Sequence, residues 1–190
     1  METDATETTR DRIVSTAVVL TADIGWSQVT MAKLADAVGV SRQTVYNEIG
    51  SKPQLAEAMI LRELDRFLAI VQVAFDRNPT DLVAAIRAAS QRVLEHAQDN
   101  PLLHAVVSAT HGADTELLPL LTTHSESLLG VAKVVIADRI EPYDIDLDRK
   151  HLEAAIDAVV RLVLSHVMQP SGTPADTADD VAWIAQRVLR

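Results

Sequence analysis

The spacing of apolar residues constrains this chain most. Along nearly its whole length they recur three and four positions apart, and nowhere do they alternate over the length of a strand. That spacing builds helices with one apolar face, so the expected fold class is all-α, with about nine helices. A chain of 190 residues buries roughly two-thirds to three-quarters of its unfolded surface, and it needs no staple. Cys is absent, which removes disulfide frameworks, zinc ribbons, iron–sulfur sites and cysteine nucleophiles together.

Punctuation places the helices. The first spans 10–24 with Thr9 as its cap. Ile13, Ala17, Leu20 and Ile24 form its stripe, and Gly25 sits in the left-handed stop position. A second helix starts after Thr30 and ends before Gly39, and a third runs from Ser41 to Gly50. A fourth starts after Ser51, where Gln54 completes a Ser-x-x-Gln capping box, and it runs to about Phe75. Asn78-Pro79 and Asn100-Pro101 bound a fifth helix over 81–98, and a short sixth covers 101–110. The seventh starts or kinks near Pro119 and ends near Ile140. The eighth covers 147–168 and the ninth closes the chain after a Pro/Gly/Ser linker at 169–175.

Between the second and third helices stands Gly39-Val40-Ser41. Gly39 supplies a sharp turn, Ser41 caps the third helix, and small Ala35 lets two helices cross closely. An ordinary helical hairpin uses the same residues, but this is also the pattern of a helix-turn-helix. The polar side of the third helix favours the second reading. Arg42, Gln43, Thr44, Tyr46 and Asn47 project away from Val45 and Ile49. Such a face offers guanidinium to guanine, amide to adenine and hydroxyls to phosphate. Lys52 and Thr30 stand at helix starts, where unpaired backbone N–H groups favour an anion.

Residues 25–41, from Gly25-Trp26 through Thr30 to Ala35, Gly39-Val40-Ser41, resemble the TetR family of transcriptional repressors, as do Thr44-Val45-Tyr46 and Gly50-Ser51-Lys52 with Leu55. The resemblance covers residues 10–60. It implies a homodimer on double-stranded DNA, an N-terminal reader and a C-terminal domain that takes a small-molecule inducer. The expected layout is a flexible acidic N-terminus over 1–9, a reader over 10–51, and a ligand-binding and dimerisation domain over 52–190. Two departures stand out: Asn47-Glu48 where the family often has an aromatic or His pair, and Ile49 in place of the usual Phe.

Two further surfaces emerge from the apolar pattern. Leu152, Ile156, Val159, Val160, Val163 and Val167 on the eighth helix, with Val181, Ile184 and Val188 on the ninth, make faces too wide for one copy to bury. They are the expected dimer seam. Phe67, Val71, Phe75, Leu103, Val107, His111, Leu121 and Leu128 are candidates to line a cavity for an apolar or amphipathic inducer, such as a lipid-like acid. At helical spacing the same residues also read as plain core. Arg87, Arg92, His104 and His111 are the candidates to meet a polar head.

Charge is unevenly spread. The formal net charge is -10, yet residues 10–60 hold five Lys or Arg against five Asp or Glu, while residues 61–190 hold 12 against 19. The acidic total favours the alternative reading, a helical small-molecule-binding or scaffold protein without DNA binding. A neutral reader predicts a modest salt dependence, near -0.9 in log–log slope per phosphate neutralised. No Gly-x-Gly cradle and no Gly-x-Ser-x-Gly elbow occurs. Asp144 to Asp148 imitates half a calcium loop, but Arg149 stands where Gly is needed. The expectation is no enzyme, no metal and no cofactor. Apolar runs fall short of the ~20 residues a membrane span needs, and with no signal peptide visible the expected location is the cytoplasm.

Overall fold

A computed structural model of the chain describes residues 7–110 and 125–189. Among the described residues there are nine α-helices and one 3₁₀ turn, with no strand. They are α1 (Thr9–Ile24), α2 (Met31–Val38), α3 (Arg42–Ile49), α4 (Lys52–Asp76), α5 (Leu82–Gln98), α6 (Pro101–Thr110), α7 (Ser125–Ile140), α8 (Arg149–Met168) and α9 (Pro174–Val188). The 3₁₀ turn covers Trp26–Gln28. The expected start of the seventh helix near Pro119 lies outside the described residues.

Caps explain the boundaries. α1 is capped by Thr8 rather than Thr9: the Thr8 hydroxyl accepts from the Asp11 N–H, and the Asp11 carboxylate accepts from the Thr8 N–H. This reciprocal box satisfies two otherwise orphaned donors. Gly25 ends α1 at φ 79° and ψ 149°, a positive φ outside the left-handed helical basin. α4 opens on the expected box, with the Ser51 N–H donating to Gln54 Oε1 at 2.8 Å. Asp81, Asp148 and Thr173 cap α5, α8 and α9. Asp148 thus commits an oxygen to the His151 N–H at 3.0 Å.

The chain divides into two compact units. The first holds the described residues up to Glu63 together with Pro101–Thr110; the second holds Leu64–Asn100 and Ser125–Leu189. The packing division falls at Glu63–Leu64, beyond the expected functional boundary near residue 51. α4 gives Leu55, Ala56 and Met59 to the first core, and α6 packs on α1 and adds Leu102 to it. In the first unit Ile13, Val14 and Ala17 of α1 face inward with Thr21, whose hydroxyl donates to the Ala17 carbonyl at 2.7 Å. Ile24, expected on that stripe, is exposed.

In the second unit α9 lies along α5, and α8 packs on both. Its core is built from Ala74 and Phe75 of α4, Ala85, Ile86 and Ala89 of α5, Ile140 of α7, Ile156 and Val160 of α8, and Val181 and Ala185 of α9. The many alanines permit close helix approach. Polar ties frame it: Tyr143 Oη donates to the Asn78 carbonyl at 2.8 Å, and Arg139 pairs with Asp76 at 2.8 Å. No described helix is long and apolar enough to cross a membrane.

Candidate nucleic-acid interface

The site begins with the turn between α2 and α3. Thr30 caps α2 by accepting from the Lys33 N–H at 3.2 Å. At the other end Gly39 adopts φ 79° and ψ 35°, and the N–H groups of Gly39 and Val40 both donate to the Ala35 carbonyl at 3.0 Å. A side chain at that φ would be strained, so glycine is the residue that lets α2 stop and α3 begin at once. Ser41 then caps α3 by accepting from the Thr44 N–H at 3.0 Å.

α3 has two distinct sides. Val45 is fully buried and Ile49 nearly so, and both anchor the helix on the first core. Arg42, Gln43, Tyr46, Asn47 and Glu48 are exposed, Tyr46 at 51%. Thr44 is half-buried, with its hydroxyl 2.8 Å from that of Ser41. Gln43 Nε2 donates to Asn47 Oδ1 at 2.8 Å. Thr30 is exposed, and its hydroxyl still has a proton to donate after accepting the cap bond. Lys52 is half-buried, its ammonium 4.8 Å from the centre of the buried Trp26 ring, a cation–π placement.

Two arginines that sequence reasoning missed hold this reader in place. Neither α2 nor α3 has a basic residue in its last turn. The cations come from the first turn of α1 instead. Arg12 Nη2 donates to the Val38 carbonyl, the last of α2, at 2.9 Å. Arg10 Nη1 donates to the Glu48 carbonyl in the last turn of α3. Each guanidinium thus meets the negative end of a helix and one of its unpaired carbonyls. α1 is tied back in turn: Arg62 of α4 donates to the Asp11 carbonyl at 2.7 Å and to Ser15 Oγ at 2.8 Å. The Thr8 cap bonds, assisted by Arg62 and Arg10, hold the Asp11 carboxyl below its ordinary pKa.

A short capped helix, a left-handed glycine, a second capped helix and an outward polar face make a helix-turn-helix. Two family profiles match the chain. One is described as bacterial regulatory proteins, tetR family, over residues 13–59. The other is described as the bacterial tetracyclin repressor C-terminal domain, over residues 81–187. The chain belongs to the TetR family. A relative in that family, the HTH-type transcriptional regulator AlkX of Mycobacterium tuberculosis, is 31% identical over 165 residues, covering 87% of this chain and 76% of the relative. The nucleoid occlusion factor SlmA of Vibrio cholerae is 33% identical over 92 residues, 48% of this chain and 46% of that one. Among solved structures, the TetR family repressor AlkX from Dietzia sp. strain DQ12-45-1b, implicated in biodegradation of n-alkanes, has a TM-score of 0.72 at 25% identity, covering 95% of this chain and 97% of that one. The fatty acid degradation regulator FadR from Bacillus halodurans shares the fold, with a TM-score of 0.59 at 20% identity over 95% and 99% of the two chains.

In this TetR-family transcriptional regulator the other expected residues fall in several places. Phe67 is half-buried with its ring edge-on to His96 at 5.1 Å. Val71 is half-buried against the second core, and Phe75 lies inside that core, edge-on to Tyr143 at 6.1 Å. Leu103 is half-buried in the first unit. His111 and Leu121 lie outside the described residues, as do the side chains of Val107 and Leu128. Arg87 is taken up by Asp179 across α5 and α9, while Arg92 and His104 are exposed.

The residues expected at the dimer seam differ in burial. Ile156, Val160 and Val181 are buried in the core of their own chain. Leu152, Val159, Val163 and Val167 are half-buried. Ile184 and Val188 are exposed, and with them Leu164, Met168 and Trp183, which the spacing argument passed over. Trp183 is 58% exposed, with the Arg187 guanidinium 3.8 Å over its ring.

Proposed function

We propose that this TetR-family regulator is a ligand-responsive repressor. It binds a near-palindromic operator as a homodimer and is released by a small apolar or amphipathic inducer. The observation that carries the DNA half of this reading is the exposed polar face of α3, presented by a helix whose opposite face is fully buried. Arg42, Gln43 and Tyr46, with Asn47 beside Gln43, form the face that meets bases and backbone, and Thr30 and Lys52 donate to phosphates. Thr44 contributes its hydroxyl at the turn.

A two-fold pair of such readers explains a symmetric operator with half-sites one turn or more apart. The exposed apolar residues Leu164, Met168, Trp183, Ile184 and Val188 of α8 and α9 are the surface that a second copy would cover, with Val163 and Val167 at its margin. For the inducer, the apolar residues offered are Phe67 of α4, edge-on to the His96 ring of α5, and Val71 one turn on. The solved relative implicated in biodegradation of n-alkanes supports a ligand built on a hydrocarbon chain. α4 contributes to both cores, which supports it as the element whose position the ligand biases. Release requires that the ligand prefer one state; equal affinity for both would shift nothing.

Footprinting and gel shift against the DNA flanking its own gene test the reading. The expected result is a two-fold symmetric protected site, lost in Arg42→Ala. Absence of any protected duplex would favour a helical binding protein with no DNA role. Glu48→Gln should raise operator affinity by roughly two- to fivefold at low salt, because the exposed carboxylate repels phosphate with the modest energy of a surface charge. An unchanged affinity would place Glu48 away from the backbone.

A further inference from the structure

Gln43 and Asn47 are two exposed amides one turn apart on α3, joined by the 2.8 Å bond from Gln43 Nε2 to Asn47 Oδ1. Helix geometry favours this meeting. Every Cα–Cβ bond tilts toward the helix N-terminus, so residue 47 leans onto residue 43 and not away from it. The bond uses one N–H of Gln43 and one lone pair of Asn47. Gln43 keeps Oε1 and its second N–H, an acceptor and a donor side by side. That pair complements the major-groove edge of adenine, where N6–H donates and N7 accepts.

Asn47 is the poorer candidate to read a base itself. It is one methylene shorter than Gln43 and lies a turn further from the start of α3, whereas recognition helices reach base edges with their N-terminal residues. We infer that Gln43 reads one adenine in each operator half-site, and that Asn47 is a positioning residue that holds the Gln43 amide in its reading plane. Bidentate pairing requires the amide and base planes to coincide. Fixing the Gln43 rotamer before binding removes part of the ordering cost of that contact. The bond matters little to fold stability, since an exposed pair at this spacing is weak, so its role is in recognition. The inference rests on α3 being the DNA reader.

Binding-site selection from a randomised duplex library tests it, using the full chain and the variants Gln43→Ala, Asn47→Ala and Asn47→Asp, with circular dichroism to confirm the fold. The wild type should enrich a two-fold motif containing an A·T pair that Gln43→Ala ceases to prefer. Asn47→Ala should weaken preference at that same pair, by about twofold as the worth of an exposed i,i+4 bond sets it, and leave the other positions intact. Asn47→Asp keeps an acceptor for Gln43 Nε2. It should restore the preference at that pair while its negative charge lowers affinity for all sequences alike. Loss of a different base pair in Asn47→Ala would overturn the inference by making Asn47 a reader in its own right. An unaltered motif in Asn47→Ala, or guanine at the Gln43 position, would overturn it too. A wild-type selection without any enriched motif would remove the reader assignment itself, and would do so before any variant is compared.

Discussion

The two units of this chain solve the burial problem in opposite ways. The first uses short helices, α2 and α3 having eight residues each, and fixes them with glycines, caps and guanidinium-to-carbonyl bonds. Its large side chains Ile13, Leu34, Val45 and Leu55 are fully buried, and the working face of α3 is polar. The second uses longer helices around an alanine-rich core and leaves Val131, Val134, Leu164, Trp183, Ile184 and Val188 exposed. A reader must hold a fixed shape against DNA, which a closed core supports, although Val19, Ile24 and Leu61 stay exposed around it. The apolar surface on the second unit is what the self-association we propose would cover.

The sharpest way to break that contrast is by truncation. Leu34→Ala should cost about 2–5 kcal/mol in urea unfolding, since it opens a cavity in a closed core. Trp183→Ala should barely change the folding of a single copy. It should weaken self-association instead, lowering the mass in sedimentation and shifting the concentration dependence of the melting temperature. Equal unfolding costs for both would end the contrast.

Glycine substitutions come next and test how far backbone geometry fixes the reader. Gly39→Ala meets no atom within 4 Å and bears only the strain of its positive φ, about 1–2 kcal/mol. Gly50→Ala should cost more. Its Cβ would fall 2.2 Å from Gln54 Oε1, the oxygen that completes the α4 capping box, so a cap is lost along with the strain. Thermal melts that rank the two the other way would overturn this account.

A smaller effect is expected from Arg10→Ala and Arg12→Ala, each about 0.3–1 kcal/mol by the value of a cation at a helix C-terminus. The smallest is in acid. Asp11 and Asp148 both have carboxyl pKa values held below the ordinary one, Asp11 by Thr8 and Asp148 by the backbone and ring of His151. A lowered folded value means that the ionised form favours the fold. The contribution is complete above the ordinary carboxylate pKa and fades as pH falls below about 4 toward the folded values. Asp11→Ala should flatten the acid limb of stability in the first unit, and Asp148→Ala in the second. Stability that rose on acidification through this range would contradict the sign.

How far the sequence speaks depends on the same contrast. The turn at Gly39 to Ser41 and the polar side of α3 were legible because they are local: a φ, a cap and a four-residue period decide them. Thr8 displaced Thr9 as the α1 cap because only Thr8 has Asp11 three positions on. The assignment of α6 to the first unit depended on Leu102 reaching the α1 core, which no local pattern records. Spacing marks Ile156, Val160 and Val181 as apolar without recording that their own chain's core takes them up, since periodicity gives an apolar face and not the body that covers it. Arg10 and Arg12 act across 38 and 26 positions. The one hint of them was negative: neither α2 nor α3 brings a cation to its own C-terminus.

Those two arginines carry a practical lesson for handling the protein. The ends of both recognition elements are stapled by side chains within four residues of one another near the amino end of the described chain. Trimming back to Ile13 removes both guanidiniums and frees the Val38 and Glu48 carbonyls, so it should loosen the ends of α2 and α3 while leaving every residue of α3 untouched.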